Sequence, residues 1–580
     1  LFGLFEQLVE RQYVQRAGGQ FFFNHATVRD AVYGSTDEDK RRDTHQAIGE
    51  LLSRGAQGSG EKAGPGQLAY HFKRGRDLDR AIDCFLAAAR ESMAKKQLFE
   101  ASMLLGEGAD LLEASARADR EPLLVTFYDL MAPAGIGAHP PSCLRAASRL
   151  LEIWSQHLQP QKVAESIRKR RARAAALPAP LRKLVRPPGP PPPFDPHSKK
   201  PELIFDRLLT IKGMQGMAFA ILGMPEPAIG AARELVALLP DAHSPLHAVA
   251  AVPEVLALFH MGKFRAQRET ARRAMRVFEA AGDRLPPPLR IFWFLSTYLY
   301  ALSEALEGRV LDADIANRAA AIAARFDLPM ERGFALLPHM VRAALRGDPE
   351  SFAARFAALE EITRRLGHPH ALASRFLLWL PIYYLEREEI ELARATTGKI
   401  EGMGKATRDA WLLTYAKVYQ GLDALQTGSA EEADKILEQG VALARERKLG
   451  RLTTALCARG QALSKLGRSD EARACLDEAL QMATSDEQGS IYDETVARRL
   501  LADLVDPTAA RDHLERSIAT ATEMENPIQL GMSWFALARL RSASRDGDPR
   551  QALAKAAEQF DSIRNRPWSE RVAAAGAEIA

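Results

Sequence analysis

A small residue five positions after a glycine recurs along this chain at intervals close to forty. Gly223 with Ala228, Gly308 with Ala313, Gly428 with Ala433, Gly467 with Ala472, and Gly547 with Ala552 all fit. Intervening segments keep the alanine without the glycine, at Ala353, Ala393 and Ala510. From Ala313 onward the steps are 40, 40, 40, 39, 38 and 42 residues. One unit puts Gln267 where alanine is expected, although Gly262, Ala271 and Ala274 keep its surroundings. A period of this length means one supersecondary unit stacked many times, because each unit buries its apolar face only against its neighbours. Such an array offers an extended surface and usually no catalytic pocket. The expectation is a recognition or regulatory part, with no catalytic, cofactor-binding or metal-ligating residue to name.

Each unit reads as a first helix, a glycine-containing turn, a second helix and a break. The breaks recur at Leu328-Pro329, His368-Pro369, Leu449-Gly450 and Asn526-Pro527. Proline or glycine there is expected to stop the second helix so that the next first helix folds back. The alanine lets paired helices approach where a bulky side chain would hold them apart. Ahead of the repeats, residues 1–16 read as an amphipathic helix, Ala17-Gly18-Gly19 as a turn, 20–23 as a β-prone run and 26–33 as helix. That order is winged-helix grammar. The fold class expected is all-α, a superhelical solenoid of helical hairpins preceded by a small winged-helix-like α/β remnant. Its divisions are 1–55 for the remnant, 67–186 for a first helical array, a proline-rich linker at 187–200, and 201–575 for a second array. The run Pro187-Pro188-Gly189-Pro190-Pro191-Pro192-Pro193 sets that linker, since it cannot be helical.

Composition narrows the function classes. Hydrophobic residues are 47% and charged residues 26% of 580, and the net charge is 78 − 74 = +4, too small for nucleic-acid binding by bulk electrostatics. Four scattered cysteines make neither a disulfide framework nor a zinc module. No apolar stretch approaches the roughly 20 residues that cross a bilayer, and no signal peptide is legible, so a cytoplasmic setting is expected. The chain opens at Leu1 inside a helix-like pattern, which leads us to expect a longer polypeptide upstream.

Gly460, Leu463, Gly467, Ala472, Leu476 and Ala479 fall at the signature spacings of a tetratricopeptide repeat, which the segment 456–483 resembles. Gly421, Gly428, Ala433 and Leu437 repeat the match, and the period near forty is similar to the longer variant of MalT-like regulators. A second resemblance covers 20–115. Phe21, Phe23, His25, Arg29, Ala31 and Tyr33, followed by Arg41-Arg42 and His45, are similar to the winged-helix end of signal-transduction ATPases with numerous domains. The resemblance implies a nucleotide-binding module just upstream, often behind a serine/threonine kinase, a nucleotide cyclase or a transcription-factor domain. ATP and magnesium would belong to that missing part, and this chain would be its sensor and interaction region. The partner implied is a protein, a peptide or a small inducer. A passive oligomerisation scaffold, or the sensor arm of a MalT-like transcriptional regulator, are the other readings.

Three groups of residues stand out as candidate sites. First-helix residues usually line the inner surface of such a superhelix, which would set Tyr415, Val418 and Leu422 beside Thr454, Cys457 and Gln461 as a partner-binding groove. The basic residues Arg168, Lys169, Arg170, Arg171 and Arg173 could dock an acidic partner, although a solvated helix end is the plainer explanation. His25, Arg29 and Tyr33 are spaced by four and form one helical stripe. That stripe is either a relay to an upstream module or, more simply, a packing face with a hydrogen-bonded histidine. Gly402-Met403-Gly404-Lys405-Ala406-Thr407 lacks the glycine and hydroxyl placement of a phosphate loop and reads as an inter-repeat turn. His368-Pro369-His370 reads as a turn, and Cys457 and Cys475 as core thiols.

Overall fold

The computed structural model describes every residue except 1, 18–19, 55–62, 158–200, 240–244, 286–288, 309–312, 367–379, 487–488, 546 and 580. The basic run, the proline-rich linker and His368-Pro369-His370 therefore lie outside the described residues. Contacts group the chain into two compact units, Leu1–Ala138 and His139–Ala580.

The first unit opens with helix α1 (Phe2–Glu10), strands β1 (Val14–Ala17) and β2 (Gln20–Phe23), and helices α2 (Ala26–Ser35) and α3 (Glu38–Arg54). The strands pair antiparallel, Val14 opposite Phe23 and Ala17 opposite Gln20. The sequence suggested one helix over residues 1–16; it stops at Glu10, and Gln12 turns the chain with a φ of 59°. The physical reason is pairing. A lone β-prone Gln20–Phe23 would leave its ladder groups unbonded, and Val14–Ala17 supplies the partner. Four helices follow: α4 (Pro65–Arg74), α5 (Leu78–Ala94), α6 (Leu98–Glu113) and α7 (Arg120–Ala138). Helices α4 and α5 form the first repeat-like hairpin, with Ala81, Phe85 and Ala88 buried as its register predicts. Gly108 marks the closest helix crossing of this unit, since a Cβ there would lie 2.3 Å from the Phe127 ring.

The second unit begins with α8 (Pro140–His157), a segment expected in the first array, which packs instead on α9 (Pro201–Ile221). Hairpins then succeed one another. They are α9 with α10 (Pro225–Leu238), α11 (Pro245–His260) with α12 (Phe264–Ala281), and α13 (Arg290–Glu307) with α14 (Ala313–Arg325). The next first helix is broken into α15 (Pro329–Phe334) and α16 (Leu337–Leu345), paired with α17 (Pro349–Leu366). After α18 (Leu380–Glu386) and α19 (Ile390–Thr407) come α20 (Ala410–Gln426) with α21 (Ala430–Arg447) and α22 (Leu452–Lys465) with α23 (Ser469–Ala483). The array closes with α24 (Ile491–Leu501) and α25 (Pro507–Glu523), α26 (Pro527–Ser544) and α27 (Pro549–Ser562), and a last helix α28 (Arg566–Ile579). Each helix packs chiefly on the next in sequence, and the fold is an all-α solenoid superhelix. No described helix is long and apolar enough to cross a membrane.

The anchor logic holds at Ala228, Ala393, Ala433, Ala472, Ala510 and Ala552, all fully or almost fully buried. Within the pairs, Gly421, Gly460 and Gly531 permit the close approach. An added Cβ would sit 2.3, 2.6 and 2.7 Å from Leu437, Leu476 and Phe560 respectively. One anchor was misplaced by a residue. Ala353 is exposed, and the buried position is Phe352, five residues after Gly347 in its left-handed turn. Phe352 fills the place by stacking on Tyr383 with ring centroids 4.2 Å apart. In the next unit Glu388 takes the turn with a φ of 61°, where a glycine would be expected.

The breaks end differently from the expectation. Asp327, Arg408, Lys448, Glu525 and Arg564 adopt φ between 51° and 54° and terminate the second helices, so non-glycine residues carry the left-handed cap. The prolines come after, opening the next helix at Pro329 and Pro527. Residues 402–407 are the final turns of α19, and the turn itself falls at Arg408 and Asp409.

Candidate functional site

The first helices of the second unit are buried along most of their length, while the second helices bury mainly the face toward their partners. Most of the side chains buried there are apolar, but polar and charged groups are enclosed among them. Asp493 is enclosed, accepting hydrogen bonds from Thr454 Oγ1 and Ser490 Oγ at 2.9 Å each. Arg451 lies beside it, its guanidinium 4.7 Å from the centroid of the Tyr415 ring and its Nη1 donating to Thr454 at 3.2 Å. The attraction of Arg451 offsets part of the desolvation that pushes Asp493 up from the usual carboxylate range.

A second cluster forms around Glu386. Tyr492 Oη and Gln529 Nε2 donate to its carboxylate at 2.8 and 3.0 Å, and Asn565 Nδ2 donates to its backbone carbonyl at 3.2 Å. These three donors come from the starts of successive first helices, 37 and 36 residues apart, though not from equivalent positions. Gln529 also accepts from Arg499 Nη2. Burial raises the Glu386 carboxyl despite those bonds.

Glu386 reaches so far because the array winds back on itself. Turns of the early hairpins press against breaks of the later ones. Gly450 N–H donates to the His260 carbonyl at 2.8 Å, and the His260 ring lies 4.4 Å from that of Trp411. A Cβ on Gly262 would stand 2.8 Å from Gly450 Cα, one on Gly223 would stand 2.9 Å from Trp411 N, and one on Gly347 would stand 2.8 Å from Ile563. Farther along, Arg342 donates to the Met524 carbonyl at 2.6 Å and, with Arg346, grips Glu525. Glu226 and Lys448 pair across the same seam. The turn glycines outside it, Gly428 and Gly467, have nothing within 4 Å of that position. Glycine at the early turns thus serves two needs, a left-handed φ and room for an opposing backbone.

The proposed groove residues come together differently from the expectation. Tyr415, Val418, Thr454 and Cys457 are buried, with Val418 and Cys457 in the core between successive hairpins. Leu422 packs on that core and Gln461 is half-buried. They form packed interior and not an open surface, because neighbouring units close over them. Cys475 joins the same cluster, and burial pushes both thiols up, as suits core cysteines. The polar groups that matter here, Glu386, Arg451, Asp493 and Arg499, were missed. Nothing within one repeat unit signalled them, because their partners come from separate hairpins.

In the first unit the stripe of His25, Arg29 and Tyr33 is exposed, and α2 buries none of its described side chains. Arg29 pairs with its neighbour Asp30. The hydrogen-bonded histidine is His45, whose Nε2 lies 3.0 Å from Tyr33 Oη and whose Nδ1 lies 3.1 Å from His71 Nδ1. Only one of those two Nδ1 atoms can carry the proton of that bond, so the two rings cannot both be cationic while it is made. Desolvation, then charges including Arg74, lowers both histidines from 6.5.

The histidine pair of the first unit and the Glu386 cluster of the second should answer pH with opposite signs. His45 and His71 bind protons less readily when folded, so their contribution is whole above about pH 6.5 and is lost as pH falls below it. Glu386 binds its proton more readily when folded, so its charge weighs against the second unit at neutral pH and less on acidification. Glu386→Gln is therefore expected to raise the urea midpoint of the second unit at pH 7.5, with the gain shrinking toward pH 5. A gain that grows with acidification would refute the assignment.

Residues 453–486 match the tetratricopeptide repeat family. Among solved structures, the chain is similar to a Rap protein complexed with competence and sporulation factor, at 12% identity and a TM-score of 0.35, covering 64% of this chain and 98% of that one. The apo form of RapI matches at 12% and 0.33, covering 64% and 97%. The anaphase-promoting-complex hetero-tetramer Cut9-Hcn1 matches at 13% and 0.31, covering 87% and 98%. No curated protein matches. The family match and the geometry agree on a tetratricopeptide repeat within an all-α solenoid of helical hairpins, an architecture that suggests a protein-interaction or regulatory role.

Proposed function

We propose that this chain is the regulatory sensor of a multidomain signalling protein. In this reading the second unit binds a protein, a peptide or a small inducer, and the first unit passes the state to an upstream nucleotide-binding module, gating an ATPase or serine/threonine kinase. The observation that carries it is the polar interior around Arg451, Asp493 and Glu386. Buried charges contribute little to stability that well-packed apolar side chains would not. Their presence along the inner helices, where the coil meets itself, fits a coil whose closure can be biased.

The test is a thermal-shift screen of the chain against peptide and metabolite panels, with sedimentation velocity on the same samples. A sensor gives a ligand-dependent rise in Tm, as binding to the folded state requires. Self-association with no ligand response would favour the oligomerisation scaffold instead.

A further inference from the structure

A cavity of about 470 Å³ opens in the second unit between α12 and α13 on one side and residues 483–486 with Gly489, Ile491 and Glu494 on the other. That volume is in the range of small-molecule sites. Its walls come from two arcs of the coil, residues 265–307 and 483–494, and Arg265 with Asp486 at 3.2 Å is an ion pair across its mouth.

Two arginines line it. Arg268 is mostly buried, and its Nη1 and Nη2 donate to the two oxygens of Glu307, which is 2% exposed. Glu307 is thereby neutralised in place, while the arginine fork keeps further N–H donors. Arg265 gives one donor to Asp486, whose side chain is 98% exposed, and its Nε stands 4.0 Å from Glu269 on its own helix. Gly489 and Ile491 bring the N-terminal turn of α24 to the wall, and with it the positive end of that helix. Glu494, also in the lining, is committed to Arg498 at 2.7 Å.

We infer that this cavity is a carboxylate-binding site, in which a ligand acid displaces Asp486 from Arg265 and shares the donors of Arg268. Asp486 is then an internal stand-in for the ligand. A bound acid ties the two arcs together and favours the closed coil. The inference rests on the sensor reading above and names the ligand class and place for it.

The experiment uses the 580-residue chain and fluorescence anisotropy with a labelled hexaglutamate peptide, a hexaglutamine peptide as its neutral counterpart, and citrate as competitor. Hexaglutamate binds and hexaglutamine does not. Arg265→Ala weakens binding by about tenfold, the scale of one hydrogen bond to a charged group. Asp486→Asn tightens it by roughly two- to fivefold, the reach of an exposed ion pair. Both side chains are exposed, so folding is not at stake. Displacement by citrate assigns the site to free polycarboxylic acids, and its failure to compete assigns it to acidic peptide. Equal binding of the two peptides, or binding indifferent to both substitutions, overturns the site and leaves the sensor reading standing. If no ligand binds here or in the thermal-shift screen, both fall.

Discussion

Gly262→Val will loosen the second unit by about 2–5 kcal/mol, the sum of a left-handed β-branched residue and an overpacked contact. The glycine has a φ of 70°, and its missing Cβ is the space that Gly450 occupies. The opposing atoms are backbone, so no side chain can rotate away. Gly467→Val provides the control, because its φ is 73° but nothing lies within 4 Å. It should lose only the conformational part, roughly 1–2 kcal/mol. Urea midpoints measure the difference, and hydrogen exchange locates it. Faster exchange around residues 258–264 and 448–454 is expected in Gly262→Val alone. Equal losses with no local change would mean that the coil does not close on itself in solution.

Arg451→Ala is the second large effect. It removes the cation above Tyr415 and leaves Asp493 buried with only two hydroxyl donors, a situation that costs about 3–5 kcal/mol. Its sign with pH is fixed by the carboxyl. Deprived of Arg451, Asp493 takes up a proton more readily in the folded state, so the loss should be greatest at neutral pH and shrink on acidification. Adding Asp493→Asn to Arg451→Ala should restore roughly 1–2 kcal/mol by removing the unpaired charge. A double variant as weak as the sum of the two single ones would show that the residues act independently.

Most of the helical order was legible because the burial that drives it is local. A hairpin packs on its neighbours, so its signature, such as Gly460 opposite Leu476 or the turn glycine Gly467 ahead of buried Ala472, lies within one period of sequence. Ala353 misled for the same reason: composition suggested alanine, whereas the space was filled by Phe352 against Tyr383. The strand Val14–Ala17 was hidden inside an amphipathic pattern because its pairing partner, and not its own residues, made it extended.

The candidate sites were less legible. The groove named from Tyr415, Val418 and Cys457 assumed that an inner face stays open, yet neighbouring hairpins bury it. Glu386 gave no local sign at all. Its partners Tyr492, Gln529 and Asn565 are 106 to 179 residues away, and only the curvature accumulated over several hairpins brings them to one carboxylate.

Sequence alone determined the unit and its repetition, since turn glycines, small anchors and helix periodicity act within about forty residues. The tertiary structure decided where the coil meets itself, which glycines face a second backbone, and which charges are taken out of water. Those outcomes depend on small rotations between successive hairpins that add up along the array, and no single unit encodes their sum.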